Sequence, residues 1–149
     1  MTTRYLEDFK VGEVMETAPV TLHADDIIEF AQLYDPQAFH TDPEAAKTGP
    51  YGGLIASGLQ TIAVAFGQFI RLGHIVESSL GGPAADDVEW PAPVRPDAEL
   101  NTTVEVLEVR PSKSKPDRGV LRVQFNMAAG DTIVVRFVST FFLLRRPAA

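Results

Sequence analysis

An aspartate and a histidine five residues apart are the side chains whose spacing first suggests chemistry. Asp35 follows a predicted helix over residues 24–34, so its carboxylate lies at the negative end of the helix dipole, which is unfavourable by roughly 0.3–1 kcal/mol. An ordinary Asp-Pro turn is the alternative interpretation. His40 lies in a stretch flanked by aromatic residues, and an imidazole there is a candidate for proton transfer; a packed loop histidine is the alternative. Together, a carboxylate and an imidazole on one short loop can hold a water molecule, one group accepting its proton while the other passes a proton on.

A strongly apolar helix predicted over residues 57–72 supplies a third group. Ser57 fits its N-cap, Gln60 completes a capping box, and Gly73 fits a left-handed stop. Because the first N–H groups of a helix have no partner within it, Gly58 can offer its N–H to a developing oxyanion. We interpret Ser57 as a cap rather than a nucleophile, because no second base is near it in the sequence. An acid–base pair with an oxyanion donor is what addition of water to a double bond conjugated to a carbonyl requires.

The basic residues of interest lie in one predicted hairpin. Lys113, Lys115 and Arg118 form the one positive cluster of an acidic chain. Such a cluster is most often a solvated turn, but it can also contact the phosphates of a carrier such as coenzyme A, and Arg95 can add to the patch. The acidic and histidine residues show no recognised metal-ligand spacing. We therefore expect no metal and no resident cofactor, with coenzyme A acting as the carrier of the substrate.

The segments that position these groups are predicted from apolar spacing and from proline. Apolar residues at helical spacing predict the first helix, and Pro36 ends it at about residue 34 or 35. Residues 35–43 are predicted as a turn-rich loop, followed by one helical turn at residues 44–47. A second loop leads into the apolar helix.

The rest of the chain is predicted to be rich in strands. Pro19 makes a strand over residues 14–22 an edge strand or a bent one. Three longer runs alternate in the second half, and the last is apolar on both faces. These runs cover residues 100–109, with a bulge near Val106, residues 121–127 and residues 132–144. Between Gly81 and Pro96 we expect only short segments.

The fold class predicted from these elements is α+β, with an antiparallel sheet wrapped around the apolar helix. We expect one domain over residues 1–149, since no repeat or linker interrupts the chain. The second face of the last strand needs a cover, so a homodimer is expected.

Composition excludes several classes of protein. The formal net charge of −7 argues against nucleic-acid binding. The chain has no cysteine, which excludes disulfides and thiolate chemistry and fits a reducing compartment. Its first ten residues are polar, and the apolar helix is too short and too polar to cross a membrane. We therefore expect a cytoplasmic protein.

Three stretches, taken in order, resemble the MaoC-like dehydratases, close to the (R)-specific enoyl-CoA hydratases. They are residues 35–40 (DPQAFH), 52–58 (GGLIASG) and 90–96 (WPAPVRP). The resemblance implies a hot-dog fold, a dimer with a composite site, and reversible hydration of a trans-2-enoyl thioester to an (R)-3-hydroxyacyl thioester. It places the catalytic aspartate and histidine at Asp35 and His40, and the oxyanion-hole glycine at Gly58. The family pattern Asp-x-Asn-Pro-x-His has Gln37 and Ala38 at its third and fourth positions here.

The expected contacts follow from this assignment. We expect substrate contacts from Tyr34, Gln37, Phe39 and Ser57, and carrier contacts from Lys113, Lys115 and Arg118. The substrate is an acyl thioester of coenzyme A or of an acyl carrier protein. Two alternatives stay open: a hot-dog thioesterase that uses the same helix end, and a non-catalytic protein that binds acyl thioesters.

Overall fold

The computed structural model describes residues 2–149. Four α-helices and six strands lie in this part of the chain, after a 3-10 turn at Leu6–Asp8. No helix among these residues has the length and apolar character needed to cross a bilayer. In chain order the elements are β1 (Val14–Glu16), β2 (Val20–Thr21), α1 (Ala24–Tyr34), α2 (Ala38–Thr41), α3 (Pro43–Lys47), α4 (Gly58–Arg71), β3 (Ala84–Glu89), β4 (Glu99–Pro111), β5 (Arg118–Ala129) and β6 (Thr132–Leu144).

The strands form one antiparallel sheet in the order β1-β4-β5-β6-β3, and β2 also pairs with β4. The β4–β5 register shifts between Val106 and Glu108, which confirms the predicted bulge. The edge or bent strand predicted over residues 14–22 is present as two short segments that pair only with β4, and the interruption between them contains Pro19, which has no N–H to donate.

Strand β3 was not predicted, because its sequence lacks the apolar alternation of a half-buried strand. Residues 84–87 are exposed, and Asp87 has a φ of 53°. The strand nevertheless pairs with β6, with a register shift between Asp86 and Glu89. One of the short segments expected here is thus a six-residue strand, and β3 provides an edge of the sheet.

Helix α4 packs against the sheet through an aromatic cluster. The Phe69 ring centroid lies 5.6 Å from that of Phe125 and 5.8 Å from that of Phe141. Ala65 and Phe69 are buried. The antiparallel sheet around this helix is the hot-dog fold, and the predicted α+β class is confirmed.

Helix α4 was expected to be enclosed by the sheet, but it is not buried on every side. Gln60 and Gln68 are buried, whereas Leu59 and Phe66 are exposed by 51% and 37%. Gln68 is held by three hydrogen bonds: its amide donates to the carbonyls of Ala18 (2.9 Å) and Leu100 (3.0 Å), and its carbonyl accepts from the Thr102 hydroxyl (2.7 Å). The buried polar groups are thus largely satisfied, and an apolar strip of α4 faces outward.

The cap of α4 is only partly as predicted. Ser57 is the N-cap, and its Oγ accepts a hydrogen bond from the Leu59 N–H at 3.2 Å. The prediction of a capping box is wrong, because the Gln60 side chain does not bond the Ser57 N–H and instead donates to the Asp26 carbonyl of α1 at 3.1 Å. That bond ties α1 to α4. Gly73 has a φ of +80°, as expected for a left-handed stop.

Candidate active site

The segment after α1 folds more tightly than the predicted loop. Asp35 is the C-cap of α1, and its N–H donates to the Ala31 carbonyl at 2.8 Å. Residues 38–41 then form the short helix α2, in which the His40 N–H donates to the Gln37 carbonyl at 2.9 Å. The Thr41 hydroxyl donates to the same carbonyl at 3.1 Å. The prediction of a loop is wrong at these residues, and the turn fixes the direction of the histidine.

The structure brings the two candidate acid–base groups together. His40 Nε2 lies 3.2 Å from Asp35 Oδ2, and the histidine is 5% exposed. On the other side of the ring, Nδ1 lies 2.7 Å from the Ile55 carbonyl oxygen. A carbonyl only accepts, so Nδ1 carries a proton and donates it there. In the neutral ring, Nε2 therefore holds the lone pair and can accept a proton beside the carboxylate.

Two further side chains hold the Asp35 carboxylate. The Ser57 hydroxyl donates to Oδ2 and the Gln37 amide donates to Oδ1, both at 2.7 Å. Burial acts to raise the pKa of Asp35, but these hydrogen bonds and the nearby His40 outweigh it, so the pKa lies below its ordinary value. Asp35 is therefore a carboxylate at neutral pH.

Gly58 begins α4 beside this pair. Its N–H has no acceptor in hydrogen-bond geometry within the described part of the chain. Asp35, His40 and Gly58 all line one cavity of about 590 Å³. The remaining lining is largely aromatic and apolar and includes Phe39, Tyr51, Trp90, Pro91 and Val134. The acid–base pair and the residue that carries this free N–H thus line one cavity.

Of the four other residues predicted to contact the substrate, two line the cavity and two do not. Gln37 and Phe39 line the cavity. Ser57 is fully buried behind Asp35, and its role as a cap is confirmed. Tyr34 is 65% exposed, packs on Phe30 with ring centroids 5.1 Å apart, and does not line the cavity. Its contact with substrate stays a prediction without structural support.

Two residues from the segment after β3 contribute more than the sequence indicated. Trp90 Nε1 donates to the Gly58 carbonyl at 3.1 Å. The Arg95 guanidinium donates to the carbonyls of Tyr51 and Gly53, so it braces the loop beside the cavity instead of joining the basic hairpin. The sequence did not predict these contacts, because a single tryptophan and a single arginine in a proline-rich segment form no pattern that indicates their partners.

The basic hairpin does not line the cavity that holds Asp35 and His40. Lys113, Lys115 and Arg118 line a second cavity of about 410 Å³ together with Phe142. Phe142 is eight residues along β6 from Val134 of the first cavity, which is roughly 26 Å at the rise of an extended strand. The structure does not bring these residues to Asp35, and carrier binding by them stays a prediction. Among residues 2–149, no group of three or more histidine, aspartate or glutamate side chains is placed to hold a metal ion.

Comparisons with known proteins place this chain in a family. An uncharacterized protein, YdeM, from Bacillus subtilis is 38% identical over 118 residues, which cover 79% of this chain and 82% of that protein. A MaoC-like dehydratase from Rhodospirillum rubrum has a TM-score of 0.88 and 35% identity, covering 97% of this chain and 99% of that one. An (R)-hydratase from A. caviae involved in PHA biosynthesis shares the fold, with a TM-score of 0.69 and 20% identity over 95% of this chain and 99% of that one. The model of the MaoC-like domain matches residues 8–129, and the chain belongs to this family.

Proposed function

We propose that this protein is a hydratase or dehydratase that interconverts a trans-2-enoyl thioester and an (R)-3-hydroxyacyl thioester. The observation that carries the proposal is the 3.2 Å contact between His40 Nε2 and Asp35 Oδ2 in a cavity that Gly58 also lines. Family membership and the Rhodospirillum structure, which is named as a dehydratase, support the reaction class. The (R) configuration rests on the resemblance to (R)-specific hydratases.

In the forward direction, a water molecule held by Asp35 and His40 attacks C3 of the enoyl group. Its oxygen bonds to C3 as one of its protons passes to the pair, where the lone pair of His40 Nε2 is available to accept it. The electrons of the C2–C3 double bond move into the thioester and form an enolate. The Gly58 N–H donates to the enolate oxygen. The pair then returns the proton to C2, so one water has been added and nothing else is consumed.

The hydrogen bonds to Asp35 support its role as an anion that binds the water. Gln37 and Ser57 each donate to a different carboxylate oxygen, so the carboxylate cannot rotate freely. Gln37 stands where the family pattern has asparagine, and its amide still reaches the carboxylate. Ser57 is not a nucleophile in this scheme, because its hydroxyl is fully buried and donates to Asp35.

The carrier and the assembly are part of the same proposal. Coenzyme A or an acyl carrier protein would bear the acyl group, with Lys113, Lys115 and Arg118 meeting its phosphates. Because this hairpin lies far along the sheet from the cavity, a second copy of the chain is proposed to supply it or to close the site. The outward apolar strip of α4, with Leu59 and Phe66, supports a homodimer.

The test follows the absorbance of a conjugated enoyl thioester during incubation with crotonyl-CoA. Loss of that absorbance without free thiol is expected, whereas release of free thiol would support a thioesterase instead. Asp35→Asn and His40→Gln should each lower kcat by at least roughly 10²-fold with the fold intact by circular dichroism. Asp25→Asn, an exposed carboxylate on the same helix, is the matched control and should keep full activity. A fully active Asp35→Asn enzyme would refute the assignment, and ligand binding without turnover would indicate a binding protein.

A further inference from the structure

Trp90 has a contact with the oxyanion donor that the proposed mechanism does not use. It is the only tryptophan of the chain, and 48% of its surface is exposed. Its indole N–H donates to the Gly58 carbonyl at 3.1 Å, and the ring lines the cavity that holds Asp35 and His40. The Thr61 hydroxyl donates to the same carbonyl at 2.7 Å. Two side chains thus fix the first turn of α4 through one backbone oxygen.

The indole also occupies the space where a side chain at position 58 would be. A Cβ built on Gly58 would lie 2.4 Å from Trp90 Nε1, 2.5 Å from Cε2 and 3.0 Å from Cδ1. Contacts of this length are far inside van der Waals separation. An alanine at position 58 therefore requires the indole to move, and a half-exposed ring has room to do so.

We propose that Trp90 is a positioning residue for the Gly58 N–H and that position 58 is glycine because the indole packs there. This inference rests on the proposed hydration reaction. The indole holds the first turn of α4 through the Gly58 carbonyl and covers that turn with an apolar surface. An N–H that is fixed in direction and shielded from water stabilises a developing enolate better than a mobile, hydrated one.

This explanation differs from the usual reason for a glycine in an oxyanion hole. If glycine were needed only so that the substrate carbonyl could approach closely, the missing side chain would point at the substrate. Here the direction of the missing Cβ is filled by Trp90. The two explanations predict different behaviour when both residues are changed.

The experiment is a double-mutant cycle on hydration of crotonyl-CoA. Gly58→Ala is expected to lower kcat by between about tenfold and about 10²-fold, because it displaces the indole and disturbs the donor. Trp90→Ala is expected to lower kcat by a similar factor with a smaller change in KM, since the N–H acts on the enolate rather than on the bound substrate. Trp90→Phe keeps an apolar ring but loses the hydrogen bond and should lose less, about three- to tenfold.

The cycle gives the deciding result. In the Trp90→Ala background, Gly58→Ala should cost less than about threefold more, because no indole remains to be displaced. If Gly58→Ala costs as much in that background as in the wild type, the glycine serves the substrate directly and the inference is overturned. Full kcat in Trp90→Ala would overturn it as well.

A spectroscopic readout separates displacement of the indole from loss of folding. Because the chain has one tryptophan, the emission of folded Gly58→Ala protein should shift to the red as the ring becomes more hydrated. An unshifted emission with unchanged circular dichroism would contradict the contact. Absence of hydration by the wild-type protein would overturn the proposed function and this role with it, whereas hydration with additive single-variant losses would overturn this inference alone.

Discussion

Ser57→Ala is the substitution that most directly tests how the site is built. The Ser57 hydroxyl makes two hydrogen bonds at once: it donates to Asp35 Oδ2 at 2.7 Å and accepts from the Leu59 N–H at 3.2 Å. The residue is fully buried, so water cannot replace the hydroxyl without rearrangement. Alanine removes both bonds and leaves the residues that line the cavity unchanged.

The size of the effect follows from the two bonds. A hydrogen bond to a charged group contributes about 1.5–3 kcal/mol, and loss of an N-cap costs about 1 kcal/mol. The free energy of unfolding should fall by about 3 kcal/mol, which lowers Tm by roughly 6–12 °C in a domain of this size. If the bond to Asp35 acts fully in the transition state, its loss lowers kcat roughly 10- to 100-fold.

Thermal unfolding and crotonyl-CoA hydration measure the two effects separately. Ser57→Gly is the matched variant, because glycine is nearly as good an N-cap as serine but has no hydroxyl for Asp35. The two variants should lose similar activity, while Ser57→Gly keeps more of the cap's stability. Wild-type kcat and Tm in Ser57→Ala would refute the view that this hydroxyl orients the carboxylate.

Two further predictions use other contacts. Gln37→Leu removes a donor that lowers the pKa of Asp35, so the acid limb of kcat/KM should move to higher pH; an unmoved limb would contradict this. Because the pKa of Asp35 is lower in the folded than in the unfolded chain, its carboxylate contributes to the free energy of unfolding above roughly pH 4. This contribution is lost as the pH falls through the folded pKa. Gln37→Leu should make the contribution, and therefore its loss, smaller. Gln68→Leu leaves the carbonyls of Ala18 and Leu100 without their donor, so urea unfolding should show a loss of about 3 kcal/mol or more, and an unchanged midpoint would argue against the buried network.

The long elements and the candidate acid–base pair could be predicted because their patterns are local. Alternating apolar residues predicted the three long strands, and residue types at Asp35 and His40 predicted a pair that the structure brings to 3.2 Å. The bulge near Val106 was predicted for the same reason, since the alternation changes phase there. Each of these conclusions needed only neighbouring residues.

The missed features depend on contacts between distant residues. Gln60 was expected to bond its own helix end, but it bonds the Asp26 carbonyl 34 residues earlier. Strand β3 is specified by pairing with β6 rather than by its own composition. Trp90 reaches Gly58 across 32 residues. Tertiary partners decide such cases, and local patterns carry no information about them.

The unfavourable position of Asp35 at the end of α1 is resolved by the start of another helix. Through Ser57, its carboxylate is held at the N-terminus of α4, where the dipole stabilises an anion. The enolate proposed to form at the Gly58 N–H would place a second negative charge at the same helix end. A proton that moves from water to the Asp35–His40 pair as the enolate forms keeps the total charge there constant. Proton transfer and enolate formation are therefore expected to be coupled, so a variant that blocks the transfer should also weaken the stabilisation by Gly58.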